Sequence, residues 1–180
     1  MASSSKLCAC ARYYYVRAHA TGKVPPVVTE RRRLAADAWG ALLQVHALLV
    51  PVLDRTLREA AQLPLTWYDV LLELSAADDQ GLTMSDLAGR VVLSRTRVSR
   101  VVDELVDAGL VRREANPADA RSAFAMLTAE GRARFRQAAP IYLAGIEQHF
   151  AQALPDSDLR AVVRALGRVR EAAPSATRSR

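Results

Sequence analysis

Hydrophobic residues recur at three- and four-residue spacing over most of this chain, which is the pattern of amphipathic helices. The first helix begins near Thr29, and we expect Pro51 to end or kink it, with LDRTLREAAQL as a short continuation. A second helix is predicted next, with Thr66 as its N-cap and Asp69 three residues later. Its predicted buried face consists of Val70, Leu71 and Leu74.

Two short helices and two β-prone runs follow. Thr83 or Ser85 is predicted to cap the first short helix, and Ser94 the second, which runs to about Ala108 with Gly109 in the C′ position. The β-prone runs, 110–114 and 122–127, are separated by ANPADAR, whose Asn-Pro pair marks a turn. Two helices and a hairpin in this order indicate a winged helix-turn-helix, which places one helix in a DNA groove and a loop beside it.

Beyond the hairpin the pattern is helical again. Thr128 is predicted to start a long helix to about Ala153, bent at Pro140, and a last helix is expected at roughly 157–172. The expected fold is mainly α with a small β-hairpin wing: a winged helix-turn-helix plus a helical dimerisation region. The predicted parts are a flexible tail at 1–28, dimerisation helices at 29–62 and 129–173, a DNA-binding lobe at 63–128 and a frayed tail at 174–180.

The composition is that of a soluble globular protein, with 51% hydrophobic and 24% charged residues among 180. No uninterrupted apolar run approaches the roughly 20 residues that span a bilayer, so we expect no membrane partner. No signal-peptide pattern is present, and we expect a cytoplasmic, nucleoid-associated protein. The net charge of +6 permits a polyanionic partner.

Enzyme chemistry and metal binding have little support in the sequence. There is no phosphate-cradling glycine loop, zinc motif or nucleophile elbow, and His19, His46 and His149 are scattered. Cys8 and Cys10 form one C-x-C pair without a neighbouring His or carboxylate cluster, so we predict no metal and no cofactor. The two thiols are either reduced residues of a tail or a redox sensor.

The helix that begins at Ser94 carries the clearest functional pattern. Val98, Val101, Val102 and Leu105 form an apolar stripe, and its first two turns carry Arg95, Thr96, Arg97, Ser99 and Arg100 off that stripe. Arginine can bond guanine O6 and N7, and Ser or Thr can reach bases or phosphates. The arginines lie at the start of the helix and its acids in the second half, an order that the helix dipole disfavours. An external anion bound at the N-terminus would offset that cost in helix stability. An ordinary solvated helix face is the alternative interpretation.

The hairpin has a charged tip, which suits a DNA-binding wing. Arg112 and Arg113 lead into it, and the tip holds Asp119 and Arg121, an arginine that could enter the minor groove. The predicted DNA-binding residues are Ser85, Ser94, Arg95, Thr96, Arg97, Ser99, Arg100, Arg113, Asp119 and Arg121.

These segments resemble the MarR family of multiple antibiotic resistance regulators over about residues 30 to 172. The resemblance lies in LTMSDLAGRVVLSRTRVSRVVDELVDAGLVRRE, the pattern Asp119-x-Arg121, the exit MLTAEG and the upstream LPLTWYDVLLEL. It implies a homodimer with a winged-helix lobe on each side, which binds pseudo-palindromic double-stranded DNA. Ala120 departs from the basic residue of many relatives, which should weaken the wing's phosphate contact.

The resemblance also implies a small-molecule effector. Relatives hold small, often phenolic anions in a crevice between the dimer helices and the DNA lobe. The residues here that suit an aromatic acid are Trp39, His46, Arg55, Trp67 and Tyr68. Ordinary core or dimer packing is the alternative for each of them.

Dimerisation is also indicated by the residues themselves, because the helices on either side of the wing are too apolar to remain exposed; packing within one chain is the alternative. The predicted function is a ligand-responsive, sequence-specific transcriptional regulator, a repressor released by a small aromatic or phenolic ligand. The second hypothesis is a winged-helix module that binds an acidic protein instead of DNA.

Overall fold

The computed structural model describes residues 29–77, 80–91, 93–117, 119 and 122–172. The predicted tails, with Cys8 and Cys10, lie outside these ranges. The described elements are, in order, α1 (Glu30–Ala61), α2 (Leu65–Ala76), β1 (Leu82–Thr83), α3 (Met84–Arg90), α4 (Arg95–Asp107), β2 (Val111–Ala115), β3 (Ala123–Leu127), α5 (Ala129–His149), a 3-10 helix (Ala151–Ala153) and α6 (Asp156–Ala172). The predicted fold class, mainly helical with a small antiparallel sheet, is confirmed.

The chain divides into two compact units, Met1–Val52 and Leu53–Arg180. In the first unit, the described residues form the N-terminal part of α1. Large apolar side chains are exposed along it: Leu34, Trp39, Leu42, Val45 and Leu48. One helix of the described residues, α1, is by length and composition alone apolar enough to cross a membrane. The sequence expectation counted uninterrupted apolar runs, whereas the apolar stretch 34–53 of this helix is interrupted by Asp37, Gln44 and His46.

Two predicted helix boundaries are wrong, and at Pro51, where an end or a kink was predicted, the helix does not end. α1 continues through Pro51, which is exposed, so water can reach the carbonyl group that loses its intrahelical bond. The N-cap of α2 is Pro64 rather than Thr66, which lies inside the first turn. α5 ends at His149 because Phe150 leaves the helical conformation, and a separate 3-10 turn follows.

Asp54 on α1 explains why α2 begins without a hydroxyl cap. Its Oδ1 accepts a hydrogen bond of 2.8 Å from the Leu65 N–H, and its Oδ2 lies 2.7 Å from Arg58 Nε. Partial burial raises the pKa of Asp54, but the bonds from Arg58 and Leu65 outweigh that effect, and the pKa lies below its ordinary value. Asp54, eleven residues before Leu65, therefore caps the start of α2 in place of Thr66.

The second unit has its core where α2, α3, α4 and the sheet meet. The fully buried side chains are Leu57, Leu63, Val70, Leu71, Leu74, Leu87, Val98, Val102 and Leu105, which includes the predicted face of α2. The sheet has the antiparallel order β1-β3-β2. The sequence did not predict β1, because two residues are too short to show alternation; it forms by pairing Leu82 with Ala125 and Thr83 with Phe124.

The junction of α4, β2 and α5 is held by Thr128. Its N–H donates to the Leu110 carbonyl (3.1 Å), its hydroxyl donates to the Gly109 carbonyl (2.7 Å), and its Oγ1 accepts from the N–H of Gly131 (3.0 Å). Thr128 is thus the N-cap of α5 and also bonds Gly109 and Leu110, just beyond the C-cap of α4. Gly131 is buried here, where a β-carbon would overlap the Leu110 carbonyl oxygen.

An aromatic cluster joins α2 to α5. The ring of Tyr68, which is 3% exposed, has its centroid 4.6 Å from that of Tyr142 and 5.5 Å from that of Phe135. Beside it, burial and, secondly, the charge of Glu73 raise the pKa of Asp69 to about 6.

The raised pKa of Asp69 predicts a pH-dependent stability. The Asp69 carboxyl in the folded chain keeps its proton up to about pH 6, whereas in the unfolded chain, with a pKa near 3.8, it loses the proton at a lower pH. The stability of the fold that depends on protonated Asp69 is therefore fully present below about pH 4 and is lost as the pH rises through 6. After discounting for solvent screening, we expect Asp69→Asn to raise the free energy of unfolding by about 1 kcal/mol at pH 7.5, and by less at pH 5. Urea unfolding across this range measures the difference. The exposed Glu147→Gln is the charge-matched control, and a gain that does not vary with pH contradicts the prediction.

Candidate nucleic-acid interface

α4 is fixed in the lobe by its caps and its apolar stripe. Ser94 Oγ accepts from the Arg97 N–H at 3.4 Å, as predicted, and Thr83 rather than Ser85 caps α3. At the other end Gly109 has a φ of 71°, its N–H bonds to Val106 and the next N–H bonds to Leu105, which is a Schellman motif. The four stripe residues, Val98, Val101, Val102 and Leu105, are all buried.

The other face of α4 is exposed over its first two turns. The residues Ser94, Arg95, Thr96, Arg97, Ser99 and Arg100 are all exposed, and Ser85 is exposed on α3. Three guanidinium groups and three hydroxyl groups therefore share one solvent-facing surface, here called the cationic face. Such a surface can pair with phosphates and offer bidentate donors to bases.

The acids in the second half of α4 contact neighbouring elements. Arg113 Nη2 on β2 lies 2.7 Å from Asp103 Oδ1, and the indole Nε1 of Trp67 on α2 donates to Glu104 Oε2 at 2.9 Å. The sequence placed Arg113 among the DNA-binding residues and Trp67 among the ligand-binding ones. The structure gives each of them a partner on α4, which the sequence could not indicate because the partners are distant in the chain.

The wing is a regular hairpin closed by side chains at its tip. Val111 pairs with Leu127 at its base and Ala115 with Ala123 near its end. Asn116 Nδ2 donates to Ser122 Oγ at 2.8 Å.

Asp119, which is exposed, shapes the tip through its main chain. Its N–H donates to the Asn116 carbonyl, and its carbonyl accepts the N–H of Ser122. Ala120 and Arg121 lie outside the described residues, so the predicted contact of Arg121 with DNA stays a prediction.

Comparison with known proteins identifies this architecture. A family model described as the MarR family matches residues 61–122. The chain is similar to the crystal structure of AbsC, a MarR family transcriptional regulator from Streptomyces coelicolor, at 33% identity, a TM-score of 0.68, and coverage of 81% of this chain and 95% of AbsC. The chain belongs to the MarR family. The resemblance seen in the sequence is thus confirmed.

Two other solved MarR structures match this chain. Sco3205 from Streptomyces coelicolor, a MarR family regulator crystallised in complex with DNA, has 30% identity and a TM-score of 0.71, over 83% of this chain and 91% of Sco3205. CouR from Rhodococcus jostii RHA1, crystallised with p-coumaroyl-CoA, has 25% identity and a TM-score of 0.64, over 76% of this chain and 93% of CouR. No curated protein matches the chain.

The five predicted ligand-binding residues lie in different surroundings in this MarR protein. Trp39, which is 58% exposed, and the exposed His46 belong to the first unit. Arg55, in the second unit, is also exposed. Trp67 and Tyr68 are engaged with Glu104 and with the aromatic cluster, which is the packing alternative that the sequence left open. Among the described residues no group of three or more His, Cys, Asp or Glu side chains could hold a metal ion.

Proposed function

We propose that this MarR protein is a homodimeric, sequence-specific DNA-binding regulator that uses the cationic face of α4 and the wing to bind a pseudo-palindromic operator. The observation that carries the proposal is the exposure of three arginines over the first two turns of α4, above a buried apolar stripe. A recognition helix presents its N-terminal residues to base edges in this way. The DNA complex of the similar Sco3205 supports the same role here.

Dimerisation is supported by apolar side chains that one chain leaves exposed. No residue of α6 is buried, although its apolar positions repeat at helical spacing, and Val163 is 72% exposed. Leu143 on α5 and Leu48 on α1 are exposed to similar extents. A second copy would cover these side chains. It would also set two recognition helices about 34 Å apart, one turn of DNA.

Regulation by a small aromatic or phenolic acid, which releases a repressor from DNA, is the finer part of the proposal. The aromatic character of Trp39 and the nearby imidazole of His46 on α1 suit such a ligand. The similar CouR, crystallised with p-coumaroyl-CoA, supports an effector that contains a phenolic group.

The proposal predicts specific and salt-dependent DNA binding by a dimer. With the DNA upstream of the chain's own gene, fluorescence anisotropy should give an affinity at least about 1,000-fold above that for a scrambled duplex at physiological salt. Both affinities should fall steeply between 50 and 200 mM salt. Loss of the upstream complex on addition of one member of a panel of aromatic acids would identify the effector. An affinity for acidic proteins without any salt-dependent DNA affinity would support the protein-binding alternative instead.

The dimer is tested by one substitution on α6. Sedimentation equilibrium should give the intact chain twice its mass of 19.6 kDa, and Val163→Glu should shift that mass towards the monomer and weaken operator binding. Ala161→Glu is the matched control, since Ala161 is exposed on the side of α6 opposite the apolar residues. A monomeric intact chain contradicts the dimer.

A further inference from the structure

One hydrogen bond connects α2 to the recognition helix α4. Trp67 lies in the first turn of α2, and its indole N–H donates to Glu104 across 37 residues of sequence. Glu104 follows Arg97 by seven residues, so the two lie on the same flank of α4, two turns apart. A rotation of α4 that breaks the Trp67 contact therefore also turns Arg97.

The residue next to Trp67 is anchored in the opposite direction. Tyr68 is buried against Phe135 and Tyr142 of α5. Neighbouring side chains of one helical turn thus contact α4 and α5 separately. This turn of α2 is a direct physical link between α5 and the recognition helix.

The position of Glu104 is not explained by the stability of α4 itself. The C-terminal half of a helix carries a partial negative charge, which disfavours acids there. Two of the three acids in that half, Asp103 and Glu104, nevertheless have donors on neighbouring elements, Arg113 and Trp67. A charge-assisted bond offsets the unfavourable position and adds a polar contact to the buried stripe that holds the helix.

We propose that Trp67 is a positioning residue, whose hydrogen bond to Glu104 holds α4 in the orientation that reads DNA and couples that orientation to α5. The inference rests on the proposed DNA-binding function. It assigns roles to two residues, Trp67 and Glu104, that need not touch DNA or an effector.

The first test uses the intact chain without DNA. Trp67→Phe removes the N–H donor and keeps an aromatic ring, and we expect amide hydrogen exchange in α4 to quicken about three- to tenfold while exchange in α5 is unchanged. Leu72→Ala changes an exposed side chain of the same helix, α2, and should leave α4 exchange unaltered. Equal α4 exchange in the two variants would overturn the proposal.

The second test compares two variants of equal net charge. Glu104→Gln keeps an oxygen acceptor, whereas Glu104→Ala removes it, so any difference between them reports the hydrogen bond rather than the charge. We expect the preference for upstream over scrambled DNA to fall three- to tenfold in Glu104→Ala and Trp67→Phe, with an unchanged salt slope, and to persist in Glu104→Gln. The double variant Trp67→Phe/Glu104→Ala should lose no more than either single variant.

The outcomes separate this inference from the function on which it rests. Equal losses in Glu104→Gln and Glu104→Ala, or a Trp67→Phe variant with the preference of the unmodified chain, would overturn the positioning role. An unmodified chain without any sequence preference would refute the proposed function. The exchange measurement would then still decide whether the contact holds α4 in place.

Discussion

Replacing Arg97 or Arg100 with alanine is expected to weaken operator binding by about 1–3 kcal/mol per residue and to relax the preference at one base position in each half-site. Both arginines are exposed on the cationic face of α4, in its first and second turns. Anisotropy titrations with single-base variants of the upstream DNA measure both effects.

The control for these substitutions removes two arginines elsewhere. Arg164 and Arg168 are exposed on α6, on the side opposite its apolar residues, so Arg164→Ala/Arg168→Ala lowers the net charge as much as removal of both Arg97 and Arg100, without touching α4. It should weaken all DNA binding slightly and leave the base preference intact. If Arg97 and Arg100 can both be removed without loss of base preference, the assignment of α4 as recognition helix is wrong.

Gly131→Ala is expected to destabilise the fold by about 3 kcal/mol, at the upper end of the usual cost of overpacking. A β-carbon there would overlap the carbonyl oxygen of Leu110 and lie 3.3 Å from Leu127 Cδ2. That carbonyl cannot move aside without loss, because it accepts the hydrogen bond of 3.1 Å from the main-chain N–H of Thr128. Urea denaturation measures the change in the free energy of unfolding.

Gly89 provides the matched substitution. It also lies in a helix, α3, but nothing within 4 Å would meet its β-carbon. Gly89→Ala should therefore be neutral or stabilise the chain by up to about 1 kcal/mol, through helix propensity alone. If the two alanine variants unfold at the same urea concentration, the close approach at Gly131 does not exist in solution.

The parts of the fold that the sequence predicted are those set by neighbouring residues. Ser94 and Gly109 act within one turn of α4, so their residue types alone indicate where that helix starts and stops. The stripe of Val98 to Leu105 follows from helical periodicity in the same way. The cationic face was predictable because it is the complement of that stripe.

The parts that the sequence missed depend on residues far apart in the chain. Asp54 replaces Thr66 at the start of α2, and β1 exists only through its pairing with β3. The bond between Trp67 and Glu104 spans 37 residues, so no local pattern could assign it. Trp67 was predicted as part of a ligand site because its residue type alone does not show whether the indole contacts a ligand or another side chain.

The junction at Thr128 lets a small movement of α5 produce a larger displacement at the N-terminus of α4. Thr128 fastens the residues just after α4 to the start of α5, whereas the arginines proposed to face DNA are at the far end of α4. A helix of 13 residues is about 20 Å long, so a tilt of about 10° at the junction moves that far end by about 3 Å. This is close to the rise of one base pair, roughly 3.4 Å. If α4 binds DNA as proposed, a small swing of α5 is therefore enough to carry Arg95 and Arg97 out of register with the bases.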